Sequence, residues 1–248
     1  MSQETLHILC YRWGSKYGVE YVNKLYSMVS RHLRVPHLFH CITDTAVGLD
    51  PRIIPELLPH DHFGGNWNKL MTFKPGILGL APGSKIVCMD LDIVIVDSID
   101  FIADHPEQTF VIAKNWATGV RGNSSVYRVT VGSHDYVWND FIRDPEYVID
   151  HFHGKTRQGG DQRWVNHAIQ NYSYFRDGKI VSFKRHCRAR SLELNLFGKT
   201  VTTAGFGEAR VPDGAAVVLF HGDPVPPQVL NGPHGRWKKA PFVADHWR

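Results

Sequence analysis

The chain has 248 residues, enough for one large domain with a full core or two small ones, and 43% hydrophobic with 21% charged residues is ordinary for a soluble globular protein. Its amino terminus has no basic region followed by an apolar run, and no stretch approaches the ~20 apolar residues of a membrane span, so export and membrane crossing lack support and a cytoplasmic location is expected. The formal charge of +4, from 28 basic and 24 acidic residues, permits attraction to phosphate without saying which phosphate.

In chain order, "LHILCYR" predicts a first strand and "YGVEYVNKLYSMVSRHL" a helix, with Val22, Leu25, Met28, Val29 and Leu33 at helical spacing. "HLFHCITD" predicts a second strand. A turn-rich stretch with Pro51, Pro55 and Pro59 leads to "GGNWNKLMTF", a short helix stopped near Pro75 and Gly76. "KIVCMD", "IVIVD" and "TFVIAKN" are β-branched runs with the character of buried strands. "SSVYRV" adds a strand, "SHDYVWNDFI" and "GGDQRWVNHAI" add helices, and "KIVSFKR" and "AAVVLFHG" predict two late strands.

Strands alternating with helices predict an α/β fold, a Rossmann-like domain of three layers around a central mixed, mostly parallel sheet. No internal repeat or low-complexity linker divides the chain, so residues 1–248 read as a single domain, with a loop-rich, Pro- and Gly-rich tail from about 223. Cys10, Cys41, Cys88 and Cys187 are widely spaced without a C-x-x-C pair, and three lie in strand-like runs; they read as buried thiols rather than disulfides or a zinc cluster.

The segment "IVCMDLDIVIV" sets Asp90 and Asp92 among apolar neighbours, where an unpaired buried carboxylate costs several kcal/mol. The run Ile86, Val87, Cys88, Met89 ends at Asp90 and the strand pattern resumes at Ile93. The two carboxylates therefore fall at the carboxyl end of a strand, where open α/β sheets bind ligands. At strand spacing they point to one side and Leu91 to the other. Two hard oxygen donors there suit Mg²⁺ or Mn²⁺, which would neutralise a diphosphate. The structural alternative is one Asp capping a turn and the other pairing with Lys or Arg. Neither G-x-G-x-x-G nor a P-loop sequence occurs, which counts against a dinucleotide site and a P-loop nucleotidase.

In "SKIVCMDLDIVIVD" the chain resembles nucleotide-sugar glycosyltransferases with a D-x-D signature, in particular the glycogenin and bacterial lipopolysaccharide galactosyltransferase group, whose fold is the glycosyltransferase A type. "WNKLMTF" resembles that group's helix with a phosphate-contacting lysine, which implies this role for Lys69. "GNSSVYRV" resembles its N-S-G segment, implying that Asn123, Ser124 and Ser125 face donor sugar and acceptor. "GGDQRWVNHAI" is similar to G-G-D-Q-x-x-x-N, which implies that Asp161 and Gln162, next to Gly159 and Gly160, lie at the reaction centre. "VVLFHGDPVPP" resembles the late histidine-glycine motif that completes the metal site, implying His221 as third ligand. The pieces span residues 8 to about 228 in the expected order. Three departures stand out: Leu219 occupies the position where glycogenin-like members often carry the histidine, Asp223, Pro224, Val225 and Pro226 replace the group's K-P-W, and Ser125 replaces a glycine.

The residues also have readings of their own. His221 follows an apolar run and precedes glycine, so its imidazole can offer a nitrogen to a cation, although fifteen histidines dilute that signal. Lys69 can reach a phosphate as a flexible point charge or can simply sit on a solvated helix face. In "CYRWGSKYG", Tyr11 or Trp13 can cover a base where Gly14 lets the backbone approach; alternatively the aromatics pack the sheet edge while Arg12 and Lys16 face water. Asp161 can be a helix cap or a catalytic-region residue, and Asn123 and Gln162 suit hydroxyl recognition. The basic stretch "FRDGKIVSFKRHCRARS", with Arg176, Lys179, Lys184, Arg185, Arg188 and Arg190, is a solvated face or a ridge for anionic acceptors, and sequence-specific nucleic-acid binding is not expected.

The resulting expectation is a metal-dependent glycosyltransferase. It would move a sugar from a nucleoside diphosphate sugar, UDP-linked by resemblance, to a hydroxyl acceptor, with configuration retained as the group implies. Asp161, Gln162 and Asn123 are its catalytic-region candidates. Tyr11, Trp13, Lys69, Asp90, Ser124 and Gly160 are its donor-site candidates, and Asp90, Asp92 and His221 would hold Mn²⁺ or Mg²⁺. The alternatives are a metal-dependent phosphohydrolase and a non-catalytic nucleotide-sugar or polyanion binding protein.

Overall fold

The structure, a computed structural model, describes residues 5–60, 62–116, 121–155, 160–187 and 207–248, and the backbone alone of 192–196 and 199–203. Arg188, Arg190 and Gly159 lie outside the described residues.

Twelve strands are described: β1 (Leu6–Arg12), β2 (His37–Thr43), β3 (Ile54–Leu57), β4 (Lys85–Met89), β5 (Ile93–Ile95), β6 (Phe110–Lys114), β7 (Gly122–Thr130), β8 (Ser173–Tyr174), β9 (Ile180–Ser182), β10 (Leu192–Leu196), β11 (Lys199–Thr203) and β12 (Val217–Leu219). The helices are α1 (Val19–His32), α2 (Asp135–Arg143), α3 (Pro145–Phe152), α4 (Asp161–Ala168), α5 (Phe183–His186) and α6 (Pro241–His246), with a 3₁₀ segment over Gly65–Phe73.

Seven strands form the central sheet in the order β3-β2-β1-β4-β7-β6-β8. All its pairs are parallel except β4 with β7 and β7 with β6, so the sheet is mixed and mostly parallel, as the alternation of strands with helices predicts. Strand periodicity sorts each strand's side chains between two cores. Leu6, Ile8 and Cys10 of β1 join Val87 and Met89 of β4 on the face covered by α1 and α6. Leu9 and Tyr11 join Ile86 and Cys88 on the face covered by the 3₁₀ segment, α2, α3 and α4. Both faces are apolar because both are covered. On α1, Tyr21, Val22, Leu25, Met28 and Val29 make the buried stripe.

One feature lay beyond the sequence reading and one expectation needs correction. The runs "IVIVD", "KIVSFKR" and "AAVVLFHG", expected as strands without a sheet assigned to them, build a separate three-stranded sheet, β5-β12-β9. The second of these runs ends as a strand at Ser182, because Phe183 turns inward to stack on Phe220 at a 4.4 Å centroid distance and α5 begins there. The tail from about 223 is mostly loop and turn, with a 3₁₀ turn over Pro226–Val229. α6 closes it, and Arg31 donates to the carbonyls of His246 and Arg248, both at 2.6 Å. All four cysteines are buried and free, as expected.

Candidate active site

The chain fills the sheet outward from β1 to β2 and β3, then crosses to β4 on the other side of β1. The strand order thus reverses between β1 and β4. A crevice forms outside the carboxyl ends of strands at such a reversal. Here it is a cleft of about 820 Å³ lined by all eleven residues singled out from the sequence: Tyr11, Trp13, Lys69, Asp90, Asp92, Asn123, Ser124, Gly160, Asp161, Gln162 and His221.

Register explains how distant segments meet. β7 runs antiparallel to β4 with Met89 opposite Val126, so the start of β7 arrives where β4 ends, and the Asp90 N–H donates to the Ser125 carbonyl at 2.8 Å. β12 runs antiparallel to β5 with Leu219 opposite Ile93, so the chain leaving β12 arrives where β5 begins. The Phe220 N–H then donates to the Asp92 carbonyl at 3.1 Å and the Gly222 N–H to Asp92 Oδ2 at 3.0 Å. Leu91, between the two aspartates, is buried in the α1-side core, as the strand spacing predicts.

Lys69 is the hub of the charged groups. Its Nζ donates to Asp90 Oδ1 at 2.7 Å and to the Ser124 carbonyl at 2.9 Å, and lies 3.5 Å from Asp161 Oδ2. Burial would discharge this ammonium, but Asp90 and Asp161 outweigh it and raise its pKa. It is therefore a buried cross-link between protein carboxylates and not the flexible point charge that its place in the sequence allows.

α4 is attached to β7 through amides. Asn166 accepts from the Gly122 N–H at 2.7 Å and donates to the carbonyls of Gly122 and Gln162. Ser124 Oγ donates to Asp161 Oδ2 at 2.8 Å, and the Ser124 N–H donates to Gln162 Oε1 at 3.1 Å. Asn123 Oδ1 accepts from the Ser125 N–H at 2.9 Å. With both side-chain carbonyls spent on backbone, the amide NH₂ groups of Asn123 and Gln162 are the parts that can donate to a hydroxyl in the cleft. Gly160 lines the cleft, yet the physical reason for glycine lies behind it. A Cβ there would stand 2.6 Å from the Trp67 ring and from the Phe152 carbonyl oxygen.

Tyr11 forms the floor: its ring is buried in the core and its hydroxyl bonds Thr72 Oγ1 at 2.9 Å. Trp13 is half-buried at the rim. His221, at φ +40, directs Nε2 to Ser182 Oγ at 2.7 Å and stacks on Trp116, while Lys184 Nζ donates to its carbonyl at 3.0 Å. Burial, followed by the charges of Lys184 and Arg185, pushes its pKa down to about 4.

Asp92 has a raised pKa, first from burial and next from the Asp90 charge; the Gly222 N–H, Lys16 and a hydrogen bond with Tyr17 offset part of this. Two mutually repelling hard oxygen donors in one cleft fit a divalent cation such as Mg²⁺ or Mn²⁺. Among the described residues, however, no group of three His, Cys, Asp or Glu side chains is set to hold a metal, since His221 is turned to Ser182. The fit is to a two-carboxylate anchor.

Sequence reasoning gave no role to Tyr17, Lys16, Arg163 or Asn166. The first three line the cleft and Asn166 holds its wall. The signal for Tyr17 and Lys16 was the aromatic and basic cluster after β1; Asn166 sits at the last position of the G-G-D-Q-x-x-x-N stretch.

No protein-family model and no curated protein matches this sequence. Among solved structures, the chain is similar to the galactosyltransferase LgtC in complex with donor and acceptor sugar analogs, at TM-score 0.53 and 14% identity over 89% of this chain and 88% of that one. An active-site mutant of LgtC gives TM-score 0.54 at 11% identity over 89% of both chains. The glycosyltransferase GlyE of Streptococcus pneumoniae TIGR4 gives TM-score 0.50 at 14% identity; the match covers 71% of this chain and 46% of GlyE, so the chain spans less than half of that structure's length. At these identities the likeness is one of fold, the glycosyltransferase A type expected from the sequence.

Proposed function

We propose that this chain is a glycosyltransferase moving a sugar from a nucleoside diphosphate sugar, UDP-linked by resemblance, to a hydroxyl acceptor with the help of Mn²⁺ or Mg²⁺. The observation that carries the reading is a cleft at the strand reversal of a glycosyltransferase A fold in which Asp90 and Asp161 converge on Lys69 and Asp92 lines the same space. With Lys69 shared between Asp90 and Asp161, Asp92 has no ion-pair partner among the described residues and is the carboxylate best placed to anchor a cation together with Asp90.

In this reading Asp90 and Asp92 hold the cation, and Trp13, at the rim, covers the base above a floor made by Tyr11. When bound, the cation supplies Lewis-acid stabilisation of the charge that grows on the departing diphosphate. The amide groups of Asn123 and Gln162 donate to sugar hydroxyls, Ser124 and Lys69 fix the Asp161 carboxylate in place, and Asp161 orients the sugar. The bond from the anomeric carbon to the diphosphate oxygen breaks, a bond from that carbon to the acceptor oxygen forms, and the acceptor proton leaves on the diphosphate. Retention of configuration is the proposed outcome.

The test incubates the protein with individual UDP-, GDP- and ADP-sugars, simple sugar acceptors and Mn²⁺, and identifies products by mass spectrometry. An acceptor-linked sugar supports the proposal. Free phosphate formed equally from nucleotides lacking a sugar would sink it in favour of hydrolysis, and a donor bound but left intact would point to a binding protein.

A further inference from the structure

Four cationic side chains line the cleft among the described residues: Arg12, Lys16, Lys69 and Arg163. Three are committed to the protein. Arg12 pairs with Asp44 at 3.1 Å, Lys69 lies between Asp90 and Asp161, and Arg163 donates to the His153 carbonyl at 3.0 Å. Lys16 differs. Its Nζ rests 4.8 Å above the Tyr17 ring centre, and it makes no ion pair with any described residue. It is exposed at the cleft wall, and its charge acts on Asp92.

The loop that carries Lys16 is braced. Asp44, just after β2, takes Arg12 Nη1 on one carboxylate oxygen and the Gly14 N–H on the other, the latter at 2.7 Å. Gly14 is at φ +62, a conformation that glycine adopts without penalty. Arg12 Nε reaches forward to the Tyr17 carbonyl at 3.4 Å, so the loop is tied at its start, middle and end. Tyr17, at the end of the loop, lines the cleft together with Asp92. A braced backbone with one uncommitted ammonium is a preorganised anion contact, because little ordering remains to be done on binding.

We propose that Lys16 is the residue that holds the diphosphate of the donor, a role that the buried and paired Lys69 leaves open. The inference rests on the glycosyltransferase reading above and names the phosphate contact within it. The ammonium swings from the Tyr17 ring to the phosphate oxygens and adds its charge to that of a cation between Asp90 and Asp92. The segment after His221 offers no replacement, since Asp223 stands there and pairs with His234 at 2.9 Å.

The experiment measures the dissociation constants of UDP, GDP and ADP by isothermal titration calorimetry with Mn²⁺ present, as a function of KCl. The proteins are the wild type, Lys16→Met and Lys16→Arg. Because Lys16 is exposed, all three are expected to fold alike. For the nucleotide that wild type binds tightest, Lys16→Met should weaken binding about tenfold or more, the loss typical of a charge-assisted contact, and should flatten its salt dependence; Lys16→Arg should recover most of both. Equal affinity in wild type and Lys16→Met overturns the assignment of Lys16 while leaving the function intact. A weakened affinity with unchanged salt dependence overturns it as well, because the side chain would then be shaping the loop. A wild type that binds none of the three nucleotides overturns both this inference and the reading it rests on.

Discussion

Lys69 and Asp90 form an ion pair of 2.7 Å in which the lysine side chain is only 7% exposed and the aspartate 28%. With Asp161 at 3.5 Å from the same ammonium, the pair ties the 3₁₀ segment to the end of β4 and to the start of α4. Removing the cation strands a buried carboxylate at Asp161. Lys69→Met should therefore cost about 3 kcal/mol in urea unfolding. Adding Asp161→Asn should recover a large part, because a neutral amide needs no counter-charge and its carbonyl still accepts from Ser124. An unfolding midpoint unchanged in Lys69→Met would refute this role.

Asp92 offers the opposite balance. Its raised pKa means that the folded state disfavours the charged carboxylate, through burial and then Asp90. Asp92→Asn should raise the melting temperature of metal-free protein while removing Mn²⁺ binding. The sign of the pH dependence follows. An acid whose folded pKa lies above its unfolded one is stabilised by protonation, so the advantage of the variant should shrink as the pH falls through the folded value. Scanning calorimetry in EDTA at neutral and acid pH reads both effects, and a variant less stable than wild type at neutral pH contradicts the argument.

His221 must leave Ser182 if it is to reach a cation. Ser182→Ala removes the competing partner, so direct Mn²⁺ binding, followed by electron paramagnetic resonance, should strengthen a few-fold. His221→Ala should weaken it. Wild-type affinity in both variants would exclude His221 as a ligand while leaving the two aspartates untouched.

Gly160 tests packing at the start of α4. Its φ of 165 is extended backbone, which any residue adopts, so the obstacle to a side chain is the Trp67 ring and the Phe152 carbonyl at 2.6 Å. Gly160→Ala should destabilise the fold by about 1–3 kcal/mol and lower turnover further than this loss explains, because α4 carries Asp161 and Gln162. Full turnover at full stability would show that the helix start can shift without consequence.

The fold was legible because it depends on short-range regularities. Apolar runs ending at Asp90 and Arg12, and a clean helical stripe from Val22 to Val29, do not need tertiary information to be read. Asp90 and Asp92 were legible from the strand end at Met89, whereas Lys69, Asn123, Ser124, Asp161, Gln162 and His221 were named through motif resemblance. What the sequence hid is the choice of partner. Whether Lys69 extends or turns inward depends on Asp161, which is distant in the chain. Whether His221 faces a cation or Ser182 depends on β9 lying beside β12. Phe183 was read as strand because its inward turn answers to Phe220, and α6 was missed because its register is set by docking of Phe242 and Val243 into the core. A water-facing Lys16 was one of two readings of its loop, and it is exposed; what makes it notable is that the other cations lining the cleft among the described residues are committed to protein partners.

Asp90 directly follows β4 of the large sheet and Asp92 directly precedes β5 of the small one, with only Leu91 between them. The gap between the two carboxylates is therefore a gauge of how the sheets sit on each other. A substitution deep in the small sheet, such as Val218→Ala, lies outside the cleft lining, yet any slide it permits reaches the oxygens through a linker of one residue. Slack in the second sheet is then expected to alter the spacing of the acidic pair. Variants selected for altered metal preference would then accumulate in β5, β9 and β12 as readily as in the cleft itself.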